Sequence, residues 1–291
     1  MRRRLFLLSA AAAALPATLA TGASGRSGSA VRLGLTPVFL DDHVGFLRVW
    51  GRYLESRLER PVLFVQRGSY REISDLLRKD ELDFAWICGY PFVRYRRQLR
   101  LLAVPLYHGK PLYQSYIIVP AADRATESLL DLRGKVFAYS DPNSNSGYLY
   151  ANYRLVQAKE QRASFFKKGF FTWAHRKVVE AVAVGLANGG AVDGYVWETL
   201  SRDSRELTAR TRVVEKSPEF GFPPVVARAS VSKTDFDSVQ NVLVTMEADP
   251  EGRSLLAKLN LDGFTAGSPQ LFDGIEHMMT VLDQARDASA A

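Results

Sequence analysis

Three short clusters hold the residue types that can do chemistry. The densest is Asp141-Pro142-Asn143-Ser144-Asn145-Ser146-Gly147, dominated by hydroxyl, amide and carboxyl side chains ahead of a helix-like run. Two roles fit it. Ser and Asn are preferred helix N-caps, so the segment reads as a capped helix start. Free backbone N–H groups beside two serine hydroxyls also make an anion cradle that needs no lysine. One capping residue suffices for a helix, and this run offers more donors than that. The second cluster is Phe171-Thr172-Trp173-Ala174-His175, where a histidine opens a helix. Such a histidine donates to an anion, or is an ordinary core or surface residue. The third is Trp86-Ile87-Cys88-Gly89-Tyr90-Pro91, with the chain's sole cysteine. Free cysteines are most often buried and inert, yet a thiol at a helix N-terminus is more acidic and more nucleophilic than usual.

The elements that must position these clusters follow from the apolar pattern. Short β-rich runs at 31–36, 62–66 and 84–87 alternate with helical segments at 43–58 and 70–78, which argues βαβ units and a parallel sheet. Apolar runs at 101–107 and 113–119 follow. A second set begins with a helical turn at 129–133 stopped by Gly134, then a strand at 136–139 and helices at 148–159 and 175–188. Further strands are expected at 192–196 and 225–229, and helical stretches at 235–259 and 270–286. Two α/β lobes with a cleft between them is the simplest architecture. In open α/β sheets ligands bind outside the carboxyl ends of strands, which is where all three clusters fall.

Composition narrows the class. With 47% hydrophobic and 24% charged residues, the 291-residue chain is globular and too polar for a multi-span membrane protein. One cysteine excludes an intrachain disulfide framework and any multi-cysteine metal site. Residues 1–20, MRRRLFLLSAAAAALPATLA, have the basic start, short apolar stretch and small residues of a signal peptide. Arg3-Arg4-Leu5-Phe6-Leu7 also fits a twin-arginine signal. The mature chain is therefore expected in the periplasm. Setting aside the three leader arginines lowers the formal charge of +7 to +4, spread along the chain, so no nucleic-acid footprint is seen.

The segments DPNSNSGYL, LYQSYIIV and HRKVVEAVAVGLANGGAVDGYVW resemble the phosphate/phosphite/phosphonate-type periplasmic substrate-binding proteins of ABC importers, the PhnD group. The resemblance implies a type II two-lobe binding protein, α/β throughout, with crossover hinge strands and a ligand cleft between lobes. Lobe 1 would comprise 31–115 plus 224–291, and lobe 2 residues 116–223. It implies anion contacts at Ser144, Asn145, Ser146 and His175, with Tyr113, Ser115 and Tyr116 flanking the cleft. A monomer that hands a small oxyanion to an ABC permease follows, with no cofactor, no metal and no enzymatic activity.

Departures from the family pattern narrow the ligand. Asn145 stands where a threonine is typical. Aminoalkylphosphonate binders hold the ammonium end with acidic residues; here Glu198 is available, but Phe222-Pro223-Pro224 offers no second carboxylate. A buried ammonium without compensation is costly, so an oxyanion without a cationic tail is expected. Cys88 lies where the family places a ligand contact. Some relatives of this fold are arsenite sensors that use one cysteine in this region and signal to a membrane histidine kinase. The Trp86–Pro91 turn is similar to theirs, and soft thiolates select soft partners, so arsenite sensing through Cys88 is the alternative. A further alternative is a hydrolase with Cys88 as nucleophile, His175 as base, and Asp141 or Glu198 orienting the imidazole.

Overall fold

The βαβ alternation builds two sheets, joined where the chain crosses between them twice. The structure, a computed structural model, describes residues 29–38 and 44–290; the expected signal peptide and His43 lie outside the described residues. In chain order the first elements are β1 (Val31–Leu35), α1 (Val44–Leu58), β2 (Val62–Gln66), α2 (Tyr70–Arg78), β3 (Phe84–Trp86), α3 (Gly89–Tyr95) and β4 (Leu99–Leu106). Two strands then lead away, β5 (Leu112–Tyr113) and β6 (Ser115–Pro120). The middle of the chain forms β7 (Val136–Tyr139), a π-helical turn at Asn145–Leu149, α4 (Tyr150–Gln157), α5 (Arg162–Phe165), β8 (Lys168–Phe171), α6 (His175–Ala183), β9 (Gly189–Asp193), α7 (Gly194–Asp203), α8 (Arg205–Thr208) and β10 (Thr211–Lys216). The chain returns through β11 (Phe220–Gly221) and β12 (Val225–Arg228), and closes with α9 (Lys233–Val244), α10 (Pro250–Leu259), β13 (Gly263–Thr265) and α11 (Asp273–Ala290).

One sheet has six strands in the order β13-β4-β12-β3-β1-β2, the other five in the order β10-β6-β9-β7-β8. Within the first, β1 pairs in parallel with both β2 and β3, as the βαβ reading requires, and β12 runs antiparallel between β3 and β4. The two crossings meet in a two-stranded ladder of β5 and β11, pairing Tyr113 with Phe220 and Leu112 with Gly221. This is the two-lobe fold with crossover hinge strands. Helix α11 packs against α3 on one side and α4 on the other, so it bridges both lobes. Among the described residues no helix is long and apolar enough to cross a membrane.

Two sequence expectations need correction. The strand expected at 192–196 lies at Gly189–Asp193. Gly189 and Gly190, left unassigned by the sequence pattern, belong to the strand because the sheet packs too closely for a side chain there: a Cβ on Gly189 would sit 2.5 Å from Leu132, and one on Gly190 2.5 Å from Val178. Tyr195 and Val196 instead open α7, whose N-terminus is capped by the Asp193 carboxylate accepting the Val196 N–H. The helical stretch expected at 235–259 is broken in two. Asp249 caps the second helix by accepting the Glu251 N–H, and Pro250 takes its first position, where a missing N–H costs nothing.

Candidate functional site

All three clusters converge where the lobes face each other. The 141–147 loop leaves the C-terminal end of β7. Ser144 caps the π-helical turn, its Oγ accepting the Gly147 N–H at 2.9 Å, while Ser140 N–H donates to the Gly147 carbonyl at 3.2 Å. The loop therefore closes on itself, and only glycine fits at 147: a Cβ there would lie 1.8 Å from Ser140 Oγ and 3.0 Å from His175 Cε1. Ser140, Asp141, Ser144, Asn145 and Ser146 are all buried. Ser140 Oγ, Asn145 Oδ1 and Ser146 Oγ have no hydrogen-bond partner. Buried polar atoms are nearly always satisfied, so three such atoms within residues 140–146 set this segment apart.

His175 opens α6 and is 1% exposed. Its Nδ1 accepts the Asp193 backbone N–H at 3.0 Å, and its Nε2 lies 3.4 Å from Ser144 Oγ. Burial pushes its pKa down to about 3, so the ring is neutral. With Nδ1 an acceptor, the ring proton sits on Nε2 and points toward Ser144. Ser144 Oγ thus receives two N–H groups, which leaves its own proton free to donate outward.

From the hinge, Tyr113 OH accepts Asn145 Nδ2–H at 3.0 Å, and Ser115 Oγ donates to the Ser146 carbonyl at 2.6 Å. Tyr113 therefore touches the loop through its hydroxyl, while Ser115 braces it from beneath. Tyr116 and Glu198 stand apart from this group. Glu198 accepts the phenolic protons of Tyr107 and Tyr116, with His108 3.7 Å away, and so ties the end of β4 to β6 and α7. Burial, then the Glu198 carboxylate, raises both phenols well above the usual range.

Cys88 caps α3 and faces the loop from the other lobe, accepting the Asn145 N–H on Sγ at 3.2 Å. The expected acidification of this thiol is reversed. Burial outweighs the two N–H groups that point at the sulfur and pushes the thiol up to about 11. The hydrolase arrangement also fails to assemble. His175 is engaged by Asp193 and Ser144, Asp141 by Tyr70 and Asn143, and Glu198 by two tyrosines. Burial holds Cys88 as a protonated thiol, packed against the loop at the Asn145 N–H.

The sequence reading missed several residues that line the interlobe space. A cavity of about 20 Å³, room for one water, is walled by Leu35, Thr36, Trp86, Asp193, Tyr195 and Phe222, among others. It is apolar but for Thr36 and Asp193. Asp193 is 2% exposed, and burial raises its pKa to about 7. The carboxylate found lacking near Phe222 is thus supplied from β9. Tyr70 is also buried, its phenol pushed up first by burial and then by Cys88, Asp141 and Asp193 nearby. Thr36 and Tyr70 follow strand ends, and the strand-to-helix rule that found the other clusters points to them equally. Of the tryptophans, Trp86 walls the cavity, Trp173 is 47% exposed, and Trp197 bonds Thr211 through Nε1.

Known proteins share this architecture. The binding-protein component of an ABC phosphonate transporter from Pseudomonas aeruginosa superposes with a TM-score of 0.79 at 20% identity, covering 86% of this chain and 85% of that one. PhnD1 from Prochlorococcus marinus, in complex with methylphosphonate, gives 0.79 at 19% identity over 87% and 98%. At these identities the likeness is one of fold. In sequence, the phosphonates-binding periplasmic protein of Escherichia coli (strain K12) is 30% identical over 168 residues, 55% of this chain and 48% of that protein. The phosphate-import protein PhnD of Mycolicibacterium smegmatis is 26% identical over 160 residues, 51% and 49% of the two chains. The matched segments span about half the length of these two relatives. Residues 34–272, through both sheets and all three clusters, match the family of ABC transporter, phosphonate, periplasmic substrate-binding proteins, and the chain belongs to that family.

Proposed function

We propose that this protein is the periplasmic receptor of an ABC importer and captures a small oxyanion of the phosphonate, phosphite or phosphate class between its lobes. The observation that carries the reading is the set of unpartnered buried atoms within residues 140–146. A buried hydroxyl without a partner costs about 1–3 kcal/mol, and Ser140 and Ser146 keep two of them at the lobe interface. An oxyanion accepts from both and from the outward proton of Ser144.

His175 acts one step removed: its Nε2–H, held in that tautomer by the Asp193 N–H, is directed at Ser144 Oγ and turns the Ser144 proton toward the anion. No full positive charge is needed, because hydroxyl and backbone N–H dipoles can hold a small anion. The mostly apolar walls of the adjacent cavity suit a small substituent on the central atom, with Asp193 their one carboxyl group. Closure of the two lobes on the anion then supplies the state that a permease recognises by differential affinity.

Calorimetry of the purified protein against methylphosphonate, phosphite and phosphate tests the proposal. The expected result is one site per chain for at least one of the three, lost in His175→Ala. Absence of binding to all three overturns it.

A further inference from the structure

The 141–147 loop belongs to the five-stranded lobe, yet its polar groups reach across to the other lobe and the hinge. Asn145 N–H meets Cys88 Sγ, Asn145 Nδ2–H meets Tyr113 OH, and Asn143 Oδ1 accepts from Arg94 at 3.3 Å. Asp141 differs from these because it brings a carboxyl group. Its Oδ2 accepts the Tyr70 N–H at 3.0 Å, and its Oδ1 accepts the Asn143 N–H of its own loop at 2.7 Å. Tyr70 is the first residue of α2, and the Ser69 cap is occupied by Glu72 N–H. The Tyr70 N–H has no acceptor within its helix. Asp141 is 0% exposed and Tyr70 1%.

When the lobes part, the carboxylate and the helix terminus both return to water. When they close, each is buried and needs the other, and the helix dipole adds to the attraction. We propose that Asp141 is the interlobe latch, a positioning residue that sets how often the lobes close while making no ligand contact. The proposal rests on the reading above that the lobes open and close, but it requires no particular ligand.

The sole cysteine supplies the readout, because Cys88 is 4% exposed and capped by Asn145 from the opposite lobe. In the full chain without ligand, Asp141→Ala is expected to speed alkylation of Cys88 by N-ethylmaleimide about tenfold, the scale of one charged hydrogen bond. The radius of gyration from small-angle scattering should rise with it. Asp141→Asn keeps an acceptor oxygen without the charge and should fall between. Arg94→Ala, which removes the longer contact to Asn143 along with Arg94's contacts to Tyr90 inside its own lobe, should change the rate less than twofold. Unchanged alkylation in both Asp141 variants overturns the latch. So does faster alkylation at an unchanged radius of gyration, which would show that Asp141 ties down only its own loop. If Asp141→Ala does not fold, as judged by circular dichroism, Asp141→Asn decides the matter. Calorimetry of the wild type with methylphosphonate, phosphite and phosphate runs separately: failure with all three overturns the receptor reading and leaves the labelling result standing.

Discussion

His175 Nδ1 accepts the backbone N–H of Asp193 at 3.0 Å, so the residue that opens one helix of the second lobe is pinned by the residue that caps the next. The two side chains titrate in opposite senses, because burial favours the neutral form of each.

This pairing gives a pH signature. His175 is held at about 3 in the folded chain, against about 6.5 when unfolded, so the unfolded state takes up the extra proton between those values. Its contribution is present above pH 6.5 and lost as the pH falls toward 3. Asp193 is raised to about 7, so its contribution is largest near pH 4 and lost as the pH rises through 7. The difference in thermal midpoint between wild type and His175→Gln should shrink as pH drops from 7 to 4. The corresponding difference for Asp193→Asn should shrink as pH rises from 4 to 8. Thermal melts at half-unit intervals check both slopes.

Ser146→Ala removes a buried hydroxyl that makes no hydrogen bond of ordinary geometry, its nearest polar neighbour being the Tyr113 phenol. Stability should therefore stay level or rise by up to about 1 kcal/mol, while affinity for the anion falls at least tenfold. Parallel melts and calorimetry read the two effects. A loss of both would mean the hydroxyl has a structural role.

Gly147→Ala should be among the most damaging single-methyl changes in the chain. The added carbon meets Ser140 Oγ at 1.8 Å and Ser140 Cβ at 2.7 Å, both in a closed loop. Overpacking of this kind costs about 1–3 kcal/mol. A midpoint unchanged within 1 °C would show that the loop yields easily.

Cys88→Ser should retain anion binding within about fivefold, because a hydroxyl can still accept the Asn145 N–H that the sulfur now takes. Isothermal titration of the variant with methylphosphonate checks this. Complete loss would place the sulfur in direct contact with ligand.

The sequence made the second lobe's anion loop legible because its residues are contiguous: five of the seven positions in 141–147 carry polar side chains, and their excess over capping needs is visible by inspection. Strand-to-helix turns at Cys88 and His175 were legible for the same local reason. Asp193 was not. Its helix cap is hidden behind two glycines that resemble a loop, and only the packing of Leu132 and Val178 against them reveals a strand. The pairing of Asp141 with Tyr70, 71 positions apart, depends on how two sheets face each other, which no local pattern encodes. Glu198 was legible as a carboxylate near the cleft, but the tyrosines that engage it come from the end of β4 and from β6.

The place of β12 has a consequence for how the chain comes into being. It fills the slot between β3 and β4, so the six-stranded sheet stays split until residues 225–228 have been synthesised. The five-stranded sheet, by contrast, is complete once residue 216 emerges. The second lobe can therefore fold first, while the earlier half of the first lobe waits with open strand edges on β3 and β4. Those edges are templates for pairing with other chains. The vulnerable interval of biogenesis thus lies in the oldest part of the nascent polypeptide, and substitutions that slow the arrival of β12 should show up as aggregation before they show up as lost affinity.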